Sequence, residues 1–328
     1  MATMLAGAAV MDAALLLVAG DQPYPQPQTR EHLIAVDIMR LEHIIVLQNK
    51  IDLVIKDKAA VTRQQEEIKR SLSSASGTSI PIIPISAVLK YNIDVVVDYL
   101  CRIPIPNRQF TVPPYMIVIR SFDVNRPGED AEDLKGGVAG GTILKGCLKV
   151  GDEIAIRPGK VTKSQKTGKT TWTEIQSVIM TLQADNNQLM YAIPGGLIAV
   201  GTKVDPQFTR SDNMVGGIIG HPGAMPQVYI EIDVKTTILK RVVGTHGDNT
   251  GNRIDSIQEG EMLLINIGST SCGGSVVRVN NKQARILLTK FVCAEMGDKI
   301  SLSRKVDRNF RLIGWGEIEQ GYEEANPK

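Results

Sequence analysis

Short unbroken apolar runs at 13–18, 44–47 and 82–85 mark the first third of the chain, each flanked by turn-forming residues. A run without polar alternation has no face for water, so these read as parallel strands covered on both sides. Between and after them apolar positions recur at helical spacing over about 29–40, 58–74 and 93–100, which predicts helices and an α/β segment. Past Pro104, Pro106, Pro113 and Pro114 the pattern changes to short β-rich stretches separated by glycine-containing turns. Strands are predicted at 115–122, 140–148, 153–157, 175–182 and 196–200. After Gly220-His221-Pro222-Gly223 a second set follows at 228–234, 262–267, 275–279, 285–288 and 299–303. The reading is an α/β domain over 1–108 followed by two β-barrel domains over 109–220 and 221–328.

Composition narrows this picture without naming a partner. With 43% hydrophobic and 22% charged residues in 328, the chain has the makeup of folded globular domains and not of a disordered one. A net charge of +2 excludes a strongly basic surface on totals alone, and 4% aromatics leaves little for base-stacking platforms. Cys101, Cys147, Cys272 and Cys293 lie far apart with no C-x-x-C pair, which points to reduced thiols and a cytoplasmic protein. The apolar start of the chain lacks a basic n-region and carries Asp12, so it reads as core and not as a signal peptide or membrane span.

The strongest chemical signal is Asn49-Lys50-Ile51-Asp52, directly after the 44–47 run. In open α/β sheets ligands sit at the carboxyl ends of strands, which is where this tetrapeptide falls. A carboxylate at Asp52 accepts from the N1–H and exocyclic amine of guanine, a donor pair adenine does not offer. Lys50 lays its alkyl stem along the base, and Asn49 ties the loop to its neighbours. Ser86, Ala87 and Val88 follow the 82–85 run, and the Ala87 N–H is expected to reach the guanine carbonyl. The alternative for Ser86 is a helix N-cap after a solvated turn.

Other motifs fall away. Gly168-Lys169-Thr170 ends like a phosphate-binding loop, but Lys163 stands where that motif needs glycine, so an exposed basic hairpin tip is predicted. His32, His43, His221 and His246 form no metal-binding or catalytic pattern and read as surface or packing residues.

Asn49–Asp52, Ser86-Ala87 and the segment Pro25-Gln26-Pro27-Gln28-Thr29-Arg30-Glu31-His32 resemble a translational GTPase of the elongation factor Tu type. The stretches Ile119-Arg120-Ser121-Phe122-Asp123-Val124-Asn125-Arg126-Pro127-Gly128, Pro194-Gly195-Gly196-Leu197, Gly201-Thr202-Lys203-Val204-Asp205-Pro206 and Arg311-Leu312-Ile313-Gly314-Trp315-Gly316 resemble the gamma subunit of eukaryotic and archaeal translation initiation factor 2. The resemblance implies a GTP-binding domain of the P-loop NTPase type followed by two β-barrels. It implies GTP or GDP with Mg2+ as cofactor, and delivery of methionyl initiator tRNA to the small ribosomal subunit. Alpha and beta subunits are its implied partners, together with nucleotide-exchange and GTPase-activating initiation factors; no membrane is. On the second domain, Gly137, Val138, Ala139, Gly140 and Gly141, expected as a loop, and the turn Pro194, Gly195, Gly196 are the implied tRNA-facing surface, with Lys240, Arg241 and the basic run Arg304, Lys305, Arg308, Arg311 as candidate phosphate contacts.

Members of that family begin with a P-loop, two switch regions and a D-x-x-G element, and this chain starts after the position where the last would end. The expectation is a partial GTP-binding domain that binds nucleotide through base contacts alone, without apparatus for hydrolysis. An exposed apolar face and an unpaired edge are expected at the 13–18 strand. Two rival functions stay open: an elongation-type GTPase carrying another aminoacyl-tRNA, such as a selenocysteine-specific factor, and a structural paralogue that hydrolyses nothing.

Overall fold

The computed structural model describes residues 11–39, 41, 43–73, 80–126, 128, 130, 134–163, 170–239, 256–306 and 309–324. Lys240, Arg241, His246, Gly168, Lys169 and Arg308 lie outside the described residues, as does Pro127 of the 119–128 stretch. Among the described residues 11–107 form one compact unit and those from 108 onward the other.

The first unit carries β1 (Ala13–Ala19), α1 (Pro27–Met39), β2 (His43–Asn49), α2 (Ile51–Val54), α3 (Lys58–Ser73), β3 (Ile82–Pro84) and α4 (Ile93–Cys101). The strands form a parallel sheet in the order β1-β2-β3, with Ala19 level with Asn49 and Gln48 level with Pro84. Because strand side chains alternate between faces, Leu16, Val18 and Val46 meet Ile68 and Leu72 of α3 on one side. On the other, Ile45, Leu47, Ile83 and Ile85 pack on Val96 of α4. Coverage on both faces therefore holds for β2, where Ile45, Val46, Leu47 and Gln48 are all buried. It does not hold for β1: Leu15 and Leu17 share the face of Ile45 and Leu47 but are 42% and 58% exposed. Among the described strands β1 pairs with β2 alone.

The second unit begins with β4 (Tyr115–Phe122), β5 (Val138–Lys145), β6 (Leu148–Lys149), β7 (Glu153–Lys163), β8 (Thr170–Ala184), β9 (Asn187–Leu189), β10 (Tyr191–Ala192), β11 (Ile198–Thr202) and β12 (Ile218–Gly220). The sheet runs β11-β5-β4-β12-β7-β8-β9, and β11 also pairs with β8, which closes six strands into a barrel. Met116, Ile143, Ile154, Ile179, Leu182 and Val200 fill it. The strand expected over 140–148 is two, β5 and β6, because the chain turns at Gly146 with φ 75°. Lys163 pairs with Thr170, so β7 and β8 form a hairpin, and the basic tip predicted between them, 164–169, lies outside the described residues.

A second closed barrel follows, β13 (Val228–Ile238), β14 (Met262–Ile267), β15 (Thr270–Asn280), β16 (Gln283–Cys293), β17 (Lys299–Val306) and β18 (Asn309–Tyr322), in the order β13-β16-β15-β14-β17-β18. Ile232, Leu263, Ile265, Ile286, Leu302 and Ile313 form its core. Arg157 of β7 fastens the connection between the barrels. Its Nη1 donates to the carbonyls of Met225 and Pro226 at 3.3 and 2.9 Å, and its Nε donates to Glu174 at 2.7 Å. Ser269 donates from the second barrel to the Val118 carbonyl of the first at 2.9 Å.

Candidate functional site

Parallel register places the ends of β2 and β3 side by side, and the loops that leave them are joined through side chains. Asn49 closes β2, and its Oδ1 accepts from the Lys50 N–H at 2.7 Å and from the Ala87 N–H at 3.1 Å. One amide oxygen therefore spans both loops, the tying role expected of Asn49. Lys50 takes the left-handed conformation, φ 63° and ψ 31°, and the four-residue helix α2 starts immediately after it. That reversal sets Asp52 in the first turn of α2, facing the second loop. There the Ser86 hydroxyl donates to Asp52 Oδ1 at 2.6 Å. Ser86 is 1% exposed, so its hydroxyl is held by the fold and in turn fixes the carboxylate plane.

The Ala87 N–H, expected at the guanine carbonyl, bonds Asn49 Oδ1, whereas the Val88 N–H donates to nothing among the described residues. Val88 itself is 86% exposed, at the rim of the site. Ser86 is not a helix N-cap: its Oγ accepts from the Leu89 N–H in a turn, its backbone pairs with Tyr91, and α4 begins only at Ile93. Lys50 Nζ lies 3.5 Å from Asp21 Oδ2, in the loop after β1, a neighbour that no sequence motif marked.

Behind the loops runs a glutamine network. Gln48 and Gln64 are buried and bonded at 2.6 Å, Gln65 donates to Gln48 Oε1 at 3.1 Å, and Gln64 Nε2 reaches the carbonyls of Ala19 and Gln22 at 3.0 and 2.8 Å. The signal that could have found it is polar residues at buried strand and helix positions, since a buried amide needs its partners.

In the first barrel Gly137 precedes β5, and Val138, Ala139, Gly140 and Gly141 lie within it, so they are not a loop; Ala139 is fully buried. A Cβ at Gly141 would run into the Ile117 carbonyl oxygen and one at Gly137 into Thr209, so close packing accounts for both glycines. The turn at Pro194, Gly195 and Gly196 differs. Thr142 Oγ1 donates to the carbonyls of Gly195 and Gly196 at 3.0 Å, which brings this turn to β5, and a Cβ at either glycine would meet nothing within 4 Å. Arg304 is held by Glu261 in a two-pronged ion pair and is not presented as an isolated cation.

Residues 1–105 match the elongation factor Tu GTP binding domain family, and residues 230–318 match the family of initiation factor eIF2 gamma, C terminal. The chain is 53% identical over 324 residues to eukaryotic translation initiation factor 2 subunit 3 of Drosophila melanogaster, covering 98% of this chain and 68% of the fly protein. It is 51% identical to eukaryotic translation initiation factor 2 subunit gamma of Schizosaccharomyces pombe (strain 972 / ATCC 24843), covering 98% of this chain and 72% of that protein. Among solved structures, translation elongation factor SelB from Methanococcus maripaludis, in complex with the GTP analogue GppNHp, superposes with TM-score 0.74 at 21% identity, over 98% of this chain and 68% of that one. A bacterial selenocysteine-specific elongation factor superposes with TM-score 0.74 at 20% identity, over 97% of this chain and 46% of that one. The two structures share the fold of a GTP-binding domain followed by two six-strand barrels, and at such identity nothing more. The identities above one half over nearly the whole chain decide between initiation and elongation factor: the chain belongs to the gamma subunit family of eukaryotic translation initiation factor 2.

Proposed function

We propose that the loops after β2 and β3 read the guanine base of GTP or GDP, and that the chain carries methionyl initiator tRNA to the small ribosomal subunit as the core of an alpha-beta-gamma trimer. The observation that carries the first part is the 2.6 Å bond from Ser86 to Asp52. It fixes a carboxylate whose remaining acceptor sites meet the N1–H and amine of guanine together. Adenine offers no such pair and leaves the carboxylate unpaired, a loss of about 1–3 kcal/mol or more for a charged group. The Val88 N–H is the donor for the guanine carbonyl, Asn49 holds the two loops at one spacing, and the Lys50 stem covers one face of the base.

Among the described residues no group of three His, Cys, Asp or Glu side chains stands together. Bound GTP carries a γ-phosphate that GDP lacks, and its presence or loss separates two states of such a factor. For tRNA, the open turn at Pro194, Gly195 and Gly196 is the surface we favour on the first barrel, because its glycines leave room for a phosphate or ribose to reach the backbone. The alpha subunit on that barrel, the beta subunit on the GTP-binding domain, the exchange and activating factors and a cytoplasmic location complete the reading. No helix among the described residues is long and apolar enough to cross a membrane.

The test is competition against fluorescently labelled GDP. Displacement by GDP and GTP but not by ADP and ATP is expected; equal displacement by adenine nucleotides overturns the base-reading assignment. Methionyl initiator tRNA retained in preference to selenocysteyl-tRNA is expected of the carrier role, and the opposite preference overturns it.

A further inference from the structure

The loop that leaves β1 forms a third wall beside the two base-reading loops. Ala19 of β1 is level with Asn49 of β2, and the Gly20 N–H donates to the Asn49 carbonyl at 2.8 Å. A Cβ at Gly20 would stand 3.1 Å from the Asn49 oxygen, closer than ordinary contact, so the glycine eases that approach. The next residue, Asp21, directs Oδ2 to Lys50 Nζ at 3.5 Å. Its other oxygen, Oδ1, is buried and has no hydrogen-bond partner among the described residues. The Lys50 ammonium is thus the one described partner of this carboxylate. A buried oxygen without a partner is costly and demands a reason.

Hydrogen bonds tie the rest of the wall. Gln64 Nε2 binds the carbonyls of Ala19 and Gln22, one on each side of Gly20 and Asp21, and is itself held by buried Gln48. The loop that presents Asp21 is therefore anchored to α3 and β2 by side-chain amides. Lys50 is otherwise unconstrained at its tip. Its side chain is 52% exposed, and a four-carbon stem loses rotamer freedom only if its ammonium is held.

We infer that Asp21 is a positioning residue for guanine-nucleotide binding: it holds the Lys50 ammonium so that the alkyl stem lies ready along the face of the base. This rests on the base-reading assignment made above. Asp21 itself does not touch the base, so it affects how tightly guanine nucleotides bind and not the choice of guanine over adenine, which belongs to Asp52. An ion pair with the lysine half exposed supplies a modest effect.

The experiment is a double-mutant cycle in the whole chain, read by labelled-GDP titration, with Asp21→Asn, Lys50→Met and the pair. Thermal unfolding of each variant confirms that it folds, and Asp21→Glu, which keeps the charge, serves as the conservative variant. Expected are a loss of about 3- to 5-fold in affinity for Asp21→Asn, partial recovery in Asp21→Glu, no added loss when Asp21→Asn is placed on Lys50→Met, and an unchanged ratio of GDP to ADP binding. Acylation of the Lys50 amine, followed by mass spectrometry without nucleotide, is expected to speed up in Asp21→Asn. Unchanged affinity in Asp21→Asn while the parent chain selects guanine, or full additivity in the cycle, overturns the inference alone. Failure of the parent chain to distinguish GDP from ADP overturns the base-reading assignment and the inference with it.

Discussion

The three parallel strands and the two barrels present their side chains in different ways. Each barrel closes on itself, β11 onto β8 in the first and β13 onto β18 in the second, so the six strands of each ring have partners on both sides. In the parallel sheet, among the described strands, β1 pairs with β2 alone, and Leu15 and Leu17 are exposed on one face. Closure removes edges and fills an interior. An open parallel sheet leaves strand ends and their loops at one rim, where ligands are read. Side-chain joins at that rim, such as Asn49 to Ala87 and Ser86 to Asp52, do the work that strand pairing does in the barrels.

Core deletions test the contrast most strongly. Ile265 is fully buried in the second barrel, and Ile265→Ala is expected to cost about 2–5 kcal/mol in denaturant unfolding, because a closed interior cannot collapse onto the void. A loss below about 1 kcal/mol would mean the barrel interior relaxes as freely as an open surface.

A smaller effect sharpens the account of how the second barrel holds its seam. Arg285 grips Asp233 through two bonds of 2.8 Å, and the Tyr322 hydroxyl donates to the same carboxylate at 2.9 Å, joining β16, β13 and β18. The Arg285 guanidinium, then the Tyr322 hydroxyl, hold the Asp233 carboxyl below the usual carboxylate range. A carboxylate with its folded value depressed stabilises the fold above its unfolded value, near 4, and that contribution is lost as pH falls through the folded value. Unfolding free energy is expected to drop below about pH 4, with Asp233→Asn flattening this acid limb and costing about 1.5–3 kcal/mol at neutral pH. An acid limb unchanged in the variant would remove Asp233 from the account.

The smallest expected change is at the open sheet. Leu17→Ala, at a position 58% exposed, is expected to shift stability by about 0.5 kcal/mol or less in the same assay. A loss comparable with that of Ile265→Ala would show that something covers this face.

Local signals were the legible ones. The strands at 115–122 and 262–267 fall where predicted to the residue, since both open on an apolar run, Tyr115–Ile119 and Met262–Ile265. β18 was not read as a strand, although its Arg311–Gly316 stretch carried family resemblance. Its glycines look like turns, yet a Cβ at Gly316 would strike Val234 and one at Gly321 the Tyr229 ring, so they are what allows close packing across the barrel. At the base site the tetrapeptide and Ser86 were visible because motif and strand end coincide in sequence. Asp21 and the Gln48–Gln64 pair were not, because their roles depend on register and burial between segments far apart in the chain. The bond from the Ala87 N–H to Asn49 was not legible for the same reason: it joins two loops 38 residues apart.

The central claim is that Asp52 reads guanine through its carboxylate. Xanthine carries a carbonyl where guanine carries its amine, so an amide at this position can donate where the carboxylate could only accept. The direct measurement is a titration of the parent chain and Asp52→Asn with labelled GDP and labelled xanthosine diphosphate. The account predicts that Asp52→Asn loses roughly 10- to 100-fold in GDP affinity and gains preference for the xanthosine nucleotide. GDP binding unchanged by Asp52→Asn would contradict it.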